Sequence, residues 1–267
     1  MNIPPEIEQK FQRLKETLSH YSRVAIAFSG GVDSSLLLKV AHDTLGDNTL
    51  ALFADSAVQP IEERQSALDT AKAIGAPIQV IAFDPLAIPE FANNESRRCY
   101  YCKKYIFSVF TNLARQQNFS IMIDGTNLDD LSTDRPGMQA VIELKVQSPL
   151  AEAGLTKREI RILSRALDLP TWNKPSASCL ATRITTDTPI TLERLSLIEQ
   201  AERYLHELDY HGCRVRFNGI AFTIELASGD IFTITHKNQL AQIRDFLFSL
   251  GAKKVFLDLS ERESILS

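Results

Sequence analysis

The stretch Phe28-Ser-Gly-Gly-Val-Asp-Ser-Ser35 decides the fold class, because it joins a short apolar run to a helix-forming segment. The run from Val24 to Phe28 predicts a buried strand, and the pattern from Ser34 to Leu45 predicts a helix that ends at Gly46. Glycines after a strand allow a tight turn that brings backbone N–H groups close to a ligand. With the helix N-terminus, they predict a cradle for an anion such as phosphate.

The side chains of this loop narrow the choice of ligand. Ser29, Ser34 and Ser35 add hydroxyl donors to the backbone groups of Gly30 and Gly31. The stretch lacks the Gly-Lys-Ser/Thr of a Walker A loop and the G-x-G-x-x-G of a dinucleotide fingerprint. The alternative is a Ser/Gly turn that only caps a helix.

An acidic residue inside this cradle predicts a metal ion. Asp33 would repel a bare phosphate, whereas Mg²⁺ can bridge a carboxylate and a pyrophosphate group. The loop therefore predicts a phosphate or pyrophosphate site with magnesium.

Strands and helices alternate on both sides of this loop. Amphipathic or apolar patterns predict further strands at 50–53, 78–82 and 121–124, and helices at 7–18, 61–74, 103–117 and 156–167. The last helix opens with the capping-box residues Thr156 and Glu159. Such alternation predicts an α/β fold with a parallel sheet that is covered by helices on both faces.

The pattern changes near residues 170–185, where we predict a domain boundary. Beyond it we expect helices at 192–208 and 239–250 and strands at 214–217, 221–226, 230–235 and 254–259. We therefore predict a first domain over 1–175 and a small α+β domain over 185–267. A strand at 182–185 would give the second domain a βαββαβ order.

Composition excludes several classes of protein. The 267 residues are 44% hydrophobic and 23% charged, as in globular proteins and unlike disordered chains or fibres. The net charge of −4 argues against a protein that coats nucleic acid. No apolar run is long enough to span a membrane, and the charged N-terminus does not resemble a secretory signal. We expect a cytoplasmic protein with reduced cysteines.

The cysteines predict sulfur or metal chemistry. Four cations flank the pair in Arg97-Arg-Cys-Tyr-Tyr-Cys-Lys-Lys104, and positive charge favours reactive thiolates. With Cys179, the thiolates of Cys99 and Cys102 could hold a 4Fe-4S cluster. The alternatives are zinc with a fourth ligand, a dithiol that cycles with a disulfide, and buried thiols without chemistry. Cys213 fits no pattern, and we interpret it as structural.

Several stretches together carry a resemblance to known proteins. SGGVDSS at 29–35 resembles the pyrophosphate loop of the PP-loop ATP pyrophosphatases, which cleave ATP between the α and β phosphates. Most of the chain resembles LarE, the family of ATP-dependent sacrificial sulfur transferases. The remaining matching stretches are DGTNLDD at 124–130, DRPGMQA at 134–140, SPLAEAGLTKREIR at 148–161, LPTWNKPSASCLATRI at 169–184 and CRVRF at 213–217.

The resemblance assigns roles to residues around the nucleotide and the sulfur. It implies a PP-loop fold in which ATP also meets Ala54, Asp55, Gly125 and Thr126. It implies that Cys179 donates the sulfur. Members with a CxxC pair hold a 4Fe-4S cluster on three cysteines, whereas others surrender the cysteine's own sulfur in a single turnover.

The resemblance also implies a substrate, a pyridinium dicarboxylate mononucleotide that is converted to a thiocarboxylate for a nickel-pincer cofactor. Arg214 and Arg216 alternate on a predicted strand, so they share one face, and they match the family's phosphate-binding pair. Glu202 and Asp230 match acidic residues near that site, where they could hold a metal ion.

Partners follow from the same resemblance. We expect a small nucleotide-like substrate, an external sulfide donor and a homo-oligomer, and neither nucleic acid nor a membrane. The competing functions are a PP-loop tRNA thiolation enzyme, an amide-forming ligase or nitrile-forming synthase with zinc on the CxxC pair, and a nucleotide-binding module without catalysis.

Overall fold

Four parallel strands form the central sheet. A computed structural model describes residues 3–132, 136–175, 178–227, 229–236 and 239–260 of the chain. The strands are β1 Val24–Ala27, β2 Thr49–Asp55, β3 Ile78–Ala82 and β4 Ile121–Asp124, in the order β3-β2-β1-β4. All four were predicted from their apolar runs, and the α/β class is confirmed.

The strand order creates a crevice at the carboxyl end of β1. Successive strands run to one side from β1 to β3, and β4 then pairs on the opposite side of β1. The register places Ala27 beside both Leu52 and Asp124, so the loops after β1, β2 and β4 leave from the same edge. Ligands of open α/β sheets bind at such a switch point.

Helices flank the strands along the chain. They are α1 Pro5–Ser19, α2 Val32–Leu45, α3 Ile61–Ile74, α4 Pro89–Ala92, α5 Arg98–Gln116, α6 Leu128–Leu131, α7 Pro136–Glu143, α8 Pro149–Glu152, α9 Lys157–Ala166, α10 Leu192–Glu207, α11 Asp230–His236 and α12 Leu240–Ser249. Among the described residues, no helix is both long and apolar enough to cross a membrane.

The chain divides into two compact units. The first comprises residues 1–56, 61–84 and 97–174, and it contains the parallel sheet. The second comprises residues 57–60, 85–96 and 175–267. Short segments from the first half of the sequence thus belong to the second unit. The assignment of two domains at 1–175 and 185–267 stays a prediction.

The first unit is built around an extensive apolar core. The α1 residues that define its predicted stripe, namely Ile7, Phe11, Leu14 and Leu18, are all buried. They belong to one hydrophobic cluster with β1 and α2. Removing such side chains from water is the main term that stabilises a fold of this kind.

A small mixed sheet lies in the second unit. Its strands are β5 Arg214–Phe217, β6 Ala221–Glu225 and β7 Lys254–Leu257. β6 is central, antiparallel to β5 and parallel to β7. Val215 and Phe222 point into the buried side, where neither is measurably exposed.

The predicted strand at 230–235 is wrong. These residues form α11. The β-branched sequence resembles a strand, but the hydroxyls of Thr233 and Thr235 donate to the carbonyls of Gly229 and Ile231 one turn earlier. Threonine hydroxyls make such bonds to the i−4 carbonyl when the residue lies in a helix, and β7 occupies the edge of β6 instead.

The predicted strand at 182–185 does not form either. Leu180–Arg183 is a turn of 3-10 helix, and Ile184 makes a single isolated bridge with Phe217. Among the described residues the order after this turn is α10-β5-β6-α11-α12-β7, so the βαββαβ arrangement is wrong.

One ion pair fastens α9 to α1 in the first unit. The predicted capping box is confirmed, because the Thr156 N–H donates to the Glu159 carboxylate at 2.9 Å. Lys10 Nζ also donates to both carboxylate oxygens, at 2.8 and 2.9 Å. Burial alone would raise the pKa of Glu159, but the hydrogen bonds from Lys10 and Thr156 lower it overall.

We expect Glu159→Gln to lower the free energy of unfolding at pH 7 by about 1 kcal/mol, because the ion pair with Lys10 is lost while glutamine can still accept the capping hydrogen bond. The folded state lowers this pKa, so the stabilisation is full above the ordinary value of 4.5 and is lost as the pH falls below it. Urea unfolding at pH 7 and near pH 3 should therefore show the difference between the two proteins shrinking in acid. Glu62→Gln, an exposed first-turn glutamate of α3, is the control. A difference that is independent of pH would contradict the assignment.

Candidate functional site

The loop after β1 and the first turn of α2 form one hydrogen-bonded cradle. The Ser29 N–H donates to Ser34 Oγ at 3.3 Å, and the two hydroxyl oxygens lie 3.1 Å apart. Ser34 Oγ also donates to the Gly31 carbonyl at 3.2 Å. Gly31 is the N-cap of α2, and no side chain caps it. The first N–H groups of α2 are therefore oriented to receive an anion.

Two glycines bring backbone segments unusually close at this cradle. Gly30 has φ +72°, and a Cβ there would lie 2.3 Å from Ala67 Cβ on α3. A Cβ on Gly125, which follows β4, would lie 2.9 Å from the Ser34 nitrogen. Both positions exclude a side chain: the loop after β1 lies against α3 at Gly30, and the loop after β4 lies against the N-terminus of α2 at Gly125.

Ser35 adds a buried hydroxyl beside the cradle. Its side chain is fully buried, and its Oγ finds no hydrogen-bond partner in the part of the chain that the structure describes. A buried unsatisfied hydroxyl in a native protein calls for an explanation, and an absent ligand or water is a common one.

Asp33 is held by groups from two other segments. Its carboxylate pairs with Lys157, the first residue of α9, and accepts a hydrogen bond from Asn127 Nδ2 at 3.2 Å. The Asp33 side chain is 19% exposed. A partly exposed carboxylate oxygen at an anion cradle is the type of ligand that Mg²⁺ prefers, so these residues fit the predicted metal.

The stretch 124–130 is braced from within. Asp124 Oδ1 accepts from Ser148 Oγ at 2.7 Å, and Oδ2 accepts from Thr126 Oγ1 at 2.8 Å. Lys103 Nζ approaches the same carboxylate at 3.6 Å. Asp124 is therefore committed to shaping the turn that carries Gly125 and Thr126.

The next residues tie this turn to α9. Asn127 and Asp130 form a capping box on α6, and the Lys157 N–H donates to Asp129 Oδ2 at 2.8 Å. The same lysine thus meets the 124–130 stretch through its backbone and Asp33 through its side chain.

The end of β2 contributes the predicted adenine residues. Ala54 is partly buried, and Asp55 pairs with Arg64 on α3. Both lie at the same sheet edge as the cradle. Contact of either residue with adenine stays a prediction.

Cys99 and Cys102 lie on the first turns of α5, which begins earlier than its periodicity predicted. They are three residues apart on a helix, and Cys99 is exposed while Cys102 is partly exposed. Residues at this spacing share one helix face. Both thiols are therefore accessible from one side of α5.

The cations around these cysteines are engaged with neighbouring groups. Lys104 Nζ donates to Tyr100 Oη at 2.8 Å and to Glu143 on α7 at 2.9 Å. These hydrogen bonds raise the pKa of Lys104 to about 12 and lower the pKa of Glu143. Arg97 donates to Gln139, also on α7. The cations thus anchor the start of α5 to α7.

Cys179 lies in the second unit, immediately before the 3-10 turn Leu180–Arg183. Its thiol is partly exposed. Its carbonyl accepts hydrogen bonds from the Thr182 N–H at 2.9 Å, from Thr182 Oγ1 at 2.8 Å and from Arg183 Nη1 at 3.3 Å. The backbone of the cysteine is therefore fixed while its side chain reaches the surface.

A buried ion pair supports this turn. Arg183 Nε and Nη2 donate to the two oxygens of Glu202 at 2.9 and 3.1 Å, and both side chains are nearly inaccessible. Glu202 also accepts from the Val215 N–H at 3.0 Å, and Arg183 Nη1 donates to the Ser178 carbonyl at 2.6 Å. Glu202 thus joins the cysteine turn to α10 and β5, and its metal role stays a prediction.

The predicted phosphate arginines lie on β5 as expected. Arg214 and Arg216 alternate with buried Val215 and Phe217, so they share the more exposed face. Arg216 pairs with Glu225 at 2.7 Å and donates to the Thr182 carbonyl at 2.7 Å. Their binding of phosphate stays a prediction, as does the role of Asp230, the first residue of α11.

Cys213 differs from the other three cysteines. It is only 4% exposed, and its Sγ lies 4.0 Å from the Glu202 carbonyl. Over the described residues, no group of three or more His, Cys, Asp or Glu side chains is arranged to hold a metal ion. The 4Fe-4S cluster on Cys99, Cys102 and Cys179 stays a prediction.

Three cationic residues at these sites were missed by the sequence analysis. Lys157 directly follows the predicted N-cap Thr156. A cation is unfavourable at a helix N-terminus, so this position was the one signal that Lys157 has an acidic partner. Lys174 and Arg183 lie in the stretch around Cys179 but carry no signal of their own. Asp134, Arg135, Ser176 and Ala177 of the quoted motifs lie outside the described residues.

Comparison with known proteins identifies relatives along almost the whole chain. No family model matches it. An uncharacterized protein of Synechocystis is 36% identical over 258 residues, which are 97% of this chain and 96% of that protein. One subunit of the glutamine-hydrolyzing GMP synthase of Methanococcus maripaludis is 27% identical over 219 residues, 76% of this chain and 69% of that relative.

A third relative combines a named activity with similarity over nearly the whole chain. The pyridinium-3,5-bisthiocarboxylic acid mononucleotide synthase of Lactiplantibacillus plantarum is 34% identical over 247 residues, which cover 92% of this chain and 89% of that enzyme. An identity of this size over nearly the full length of both chains shows that the protein belongs to the family of this synthase, the LarE family.

Proposed function

We propose that the protein is an ATP-dependent sulfur transferase that converts a carboxylate of pyridinium-3,5-dicarboxylate mononucleotide to a thiocarboxylate, for a nickel-pincer cofactor. The observation that carries this proposal is the full-length similarity to the named synthase. The similarity to GMP synthases supports an ATP-using enzyme.

The first unit would activate the carboxylate. An oxygen of the substrate carboxylate attacks the α-phosphorus of ATP, the bond to the bridging oxygen breaks, and pyrophosphate leaves. The products are an acyl-adenylate and pyrophosphate. The N–H groups of α2 and the hydroxyls of Ser29, Ser34 and Ser35 would bind the phosphate chain, where developing negative charge is stabilised most by donors already in place.

Asp33 and Lys157 would share the charge of the leaving group. Asp33 would hold Mg²⁺, which neutralises pyrophosphate when bound. With Asp33 engaged in this way, the Lys157 ammonium would be available to a phosphate oxygen. The present pairing keeps both groups oriented before nucleotide binds.

The sulfur step would use Cys179. A nucleophilic sulfur attacks the acyl-adenylate carbonyl and AMP leaves, which gives the thiocarboxylate. Cys99, Cys102 and Cys179 would hold a 4Fe-4S cluster, which would supply sulfide-level sulfur that an external sulfide donor replaces. In the alternative, the Cys179 thiolate attacks the acyl-adenylate and forms a thioester as AMP leaves. Loss of the Cα proton of Cys179 then breaks its Cβ–Sγ bond, which releases the thiocarboxylate and leaves dehydroalanine, so each chain acts once.

The second unit would bind the substrate phosphate through Arg214 and Arg216, whose guanidinium groups suit a phosphate monoester. Asp230 and Glu202 would lie near that site. A homo-oligomer in the cytoplasm remains part of the proposal.

We expect Asp33→Asn to slow release of pyrophosphate from ATP at least about a hundredfold, because a Mg²⁺ ligand is lost where several kcal/mol of charge stabilisation are needed. Pyrophosphate release in the presence of the pyridinium substrate measures the effect. Asp43→Asn, which removes an exposed carboxylate from the same helix, should leave the rate unchanged. An unaffected Asp33 variant would remove the aspartate from the metal site.

The cysteine assignment makes a separate prediction. Protein prepared without oxygen should be brown and contain about 4 iron atoms and about 4 sulfide ions per chain. Replacing Cys99, Cys102 or Cys179 by Ala should abolish both the colour and sulfur transfer. Cys213→Ala, at the buried cysteine, should retain both. If iron is absent and only Cys179 is required, the single-turnover route is correct. If transfer survives in Cys179→Ala, the proposed function is wrong.

A further inference from the structure

Lys174 makes a buried contact with the nucleotide loop that the proposed mechanism does not use. Its Nζ donates to the Gly30 carbonyl at 3.2 Å and to Ser66 Oγ at 3.0 Å, and it pairs with Glu63 at 2.7 Å. The lysine side chain is only 12% exposed. A lysine this buried, with three oxygen partners, is committed to one orientation.

The contact fixes the direction of one peptide group in the cradle. In a planar trans peptide, the C=O and N–H bonds point in opposite directions. The Gly30 carbonyl faces Lys174, so the Gly31 N–H faces the other side, where it lies 3.4 Å from Ser29 Oγ. Gly30 has a positive φ and no Cβ, so its own structure does not fix the orientation of the peptide group that follows it. The hydrogen bond from Lys174 supplies that restraint.

The lysine is itself held in place. Arg161 Nη1 donates to the Trp172 carbonyl and Nη2 to the Lys174 carbonyl, each at 3.0 Å. The guanidinium of Arg165 stacks on the Trp172 ring at 4.7 Å. The last residues of the first unit are thus bound along α9, which lets Lys174 act from a rigid support.

We propose that Lys174 is a positioning residue for nucleotide binding: by holding the Gly30 carbonyl, it keeps the Gly31 N–H turned towards the phosphate chain. The ligand class is a nucleoside polyphosphate, and the inference rests on the proposed function. Lys174 does not touch the phosphates. Its effect should therefore depend on whether the ligand carries phosphate, which a merely structural role would not produce.

The test measures the dissociation constants of two ligands by calorimetric titration of the protein in the presence of Mg²⁺. α,β-Methylene-ATP carries the phosphate chain without allowing its cleavage, and adenosine lacks it. Lys174→Met should weaken binding of the ATP analogue about tenfold, the effect of one charge-assisted hydrogen bond, and leave adenosine binding unchanged. Lys174→Arg, which can still donate to the carbonyl, should recover part of the loss.

Two further variants keep the test decisive. Lys10→Met breaks the comparable Lys10–Glu159 pair elsewhere in the first unit and should leave binding of both ligands unchanged. Lys174→Met leaves the Glu63 carboxylate without this ion-pair partner. If that variant does not fold, the Glu63→Gln/Lys174→Met double variant replaces it in the test, and it should show the same selective loss of affinity for the ATP analogue.

Equal weakening of both ligands, or no weakening of the ATP analogue, would overturn the positioning role. Wild-type protein that binds neither ligand would refute the nucleotide site itself, and with it the proposed function. The two failures are therefore distinguishable from the same set of titrations.

Discussion

The cradle at the N-terminus of α2 depends on the close approach of the loops after β1 and β4 to neighbouring helices. Gly30 leaves no room for a Cβ against Ala67, and Gly125 leaves none against the Ser34 nitrogen. Parallel pairing of β1 and β4 aligns the ends of the two strands, so both loops start from the same edge. A side chain at Gly125 would push the loop after β4 away from α2, and one at Gly30 would push the loop after β1 away from α3.

The cradle must hold an acidic residue without losing its attraction for an anion. Asp33 is balanced by Lys157 and accepts a hydrogen bond from Asn127, while Lys174 brings a second cation to the far side of the loop through Gly30. Both lysines come from the segment that begins at α9. This arrangement holds charges of both signs in place before a ligand arrives, which reduces the reorganisation that binding requires.

Local patterns predicted the parallel sheet and the PP-loop, because apolar strands and glycine turns are properties of neighbouring residues. They did not identify Lys157 and Lys174 as partners of the loop, since Lys157 meets Asp33 only after folding brings together residues 124 positions apart. They also mistook 230–235 for a strand, because β-branched residues carry a strand signal even where threonine hydroxyls bond back into a helix. Neither a long-range partner nor a threonine hydroxyl bond within a helix produces a periodic pattern that the sequence alone reveals.

The second unit shows how a cysteine can be both accessible and firmly supported. A buried ion pair stabilises a fold poorly unless its remaining donors and acceptors are satisfied. In the Arg183–Glu202 pair they are satisfied by Ser178 and Val215, and these contacts fasten the turn after Cys179 to β5. These hydrogen bonds offset the cost of removing the two charges from water, and they also fix the backbone that follows Cys179. A partly exposed thiol on a fixed backbone would suit the proposed sulfur transfer, because the reacting sulfur must be accessible and well positioned.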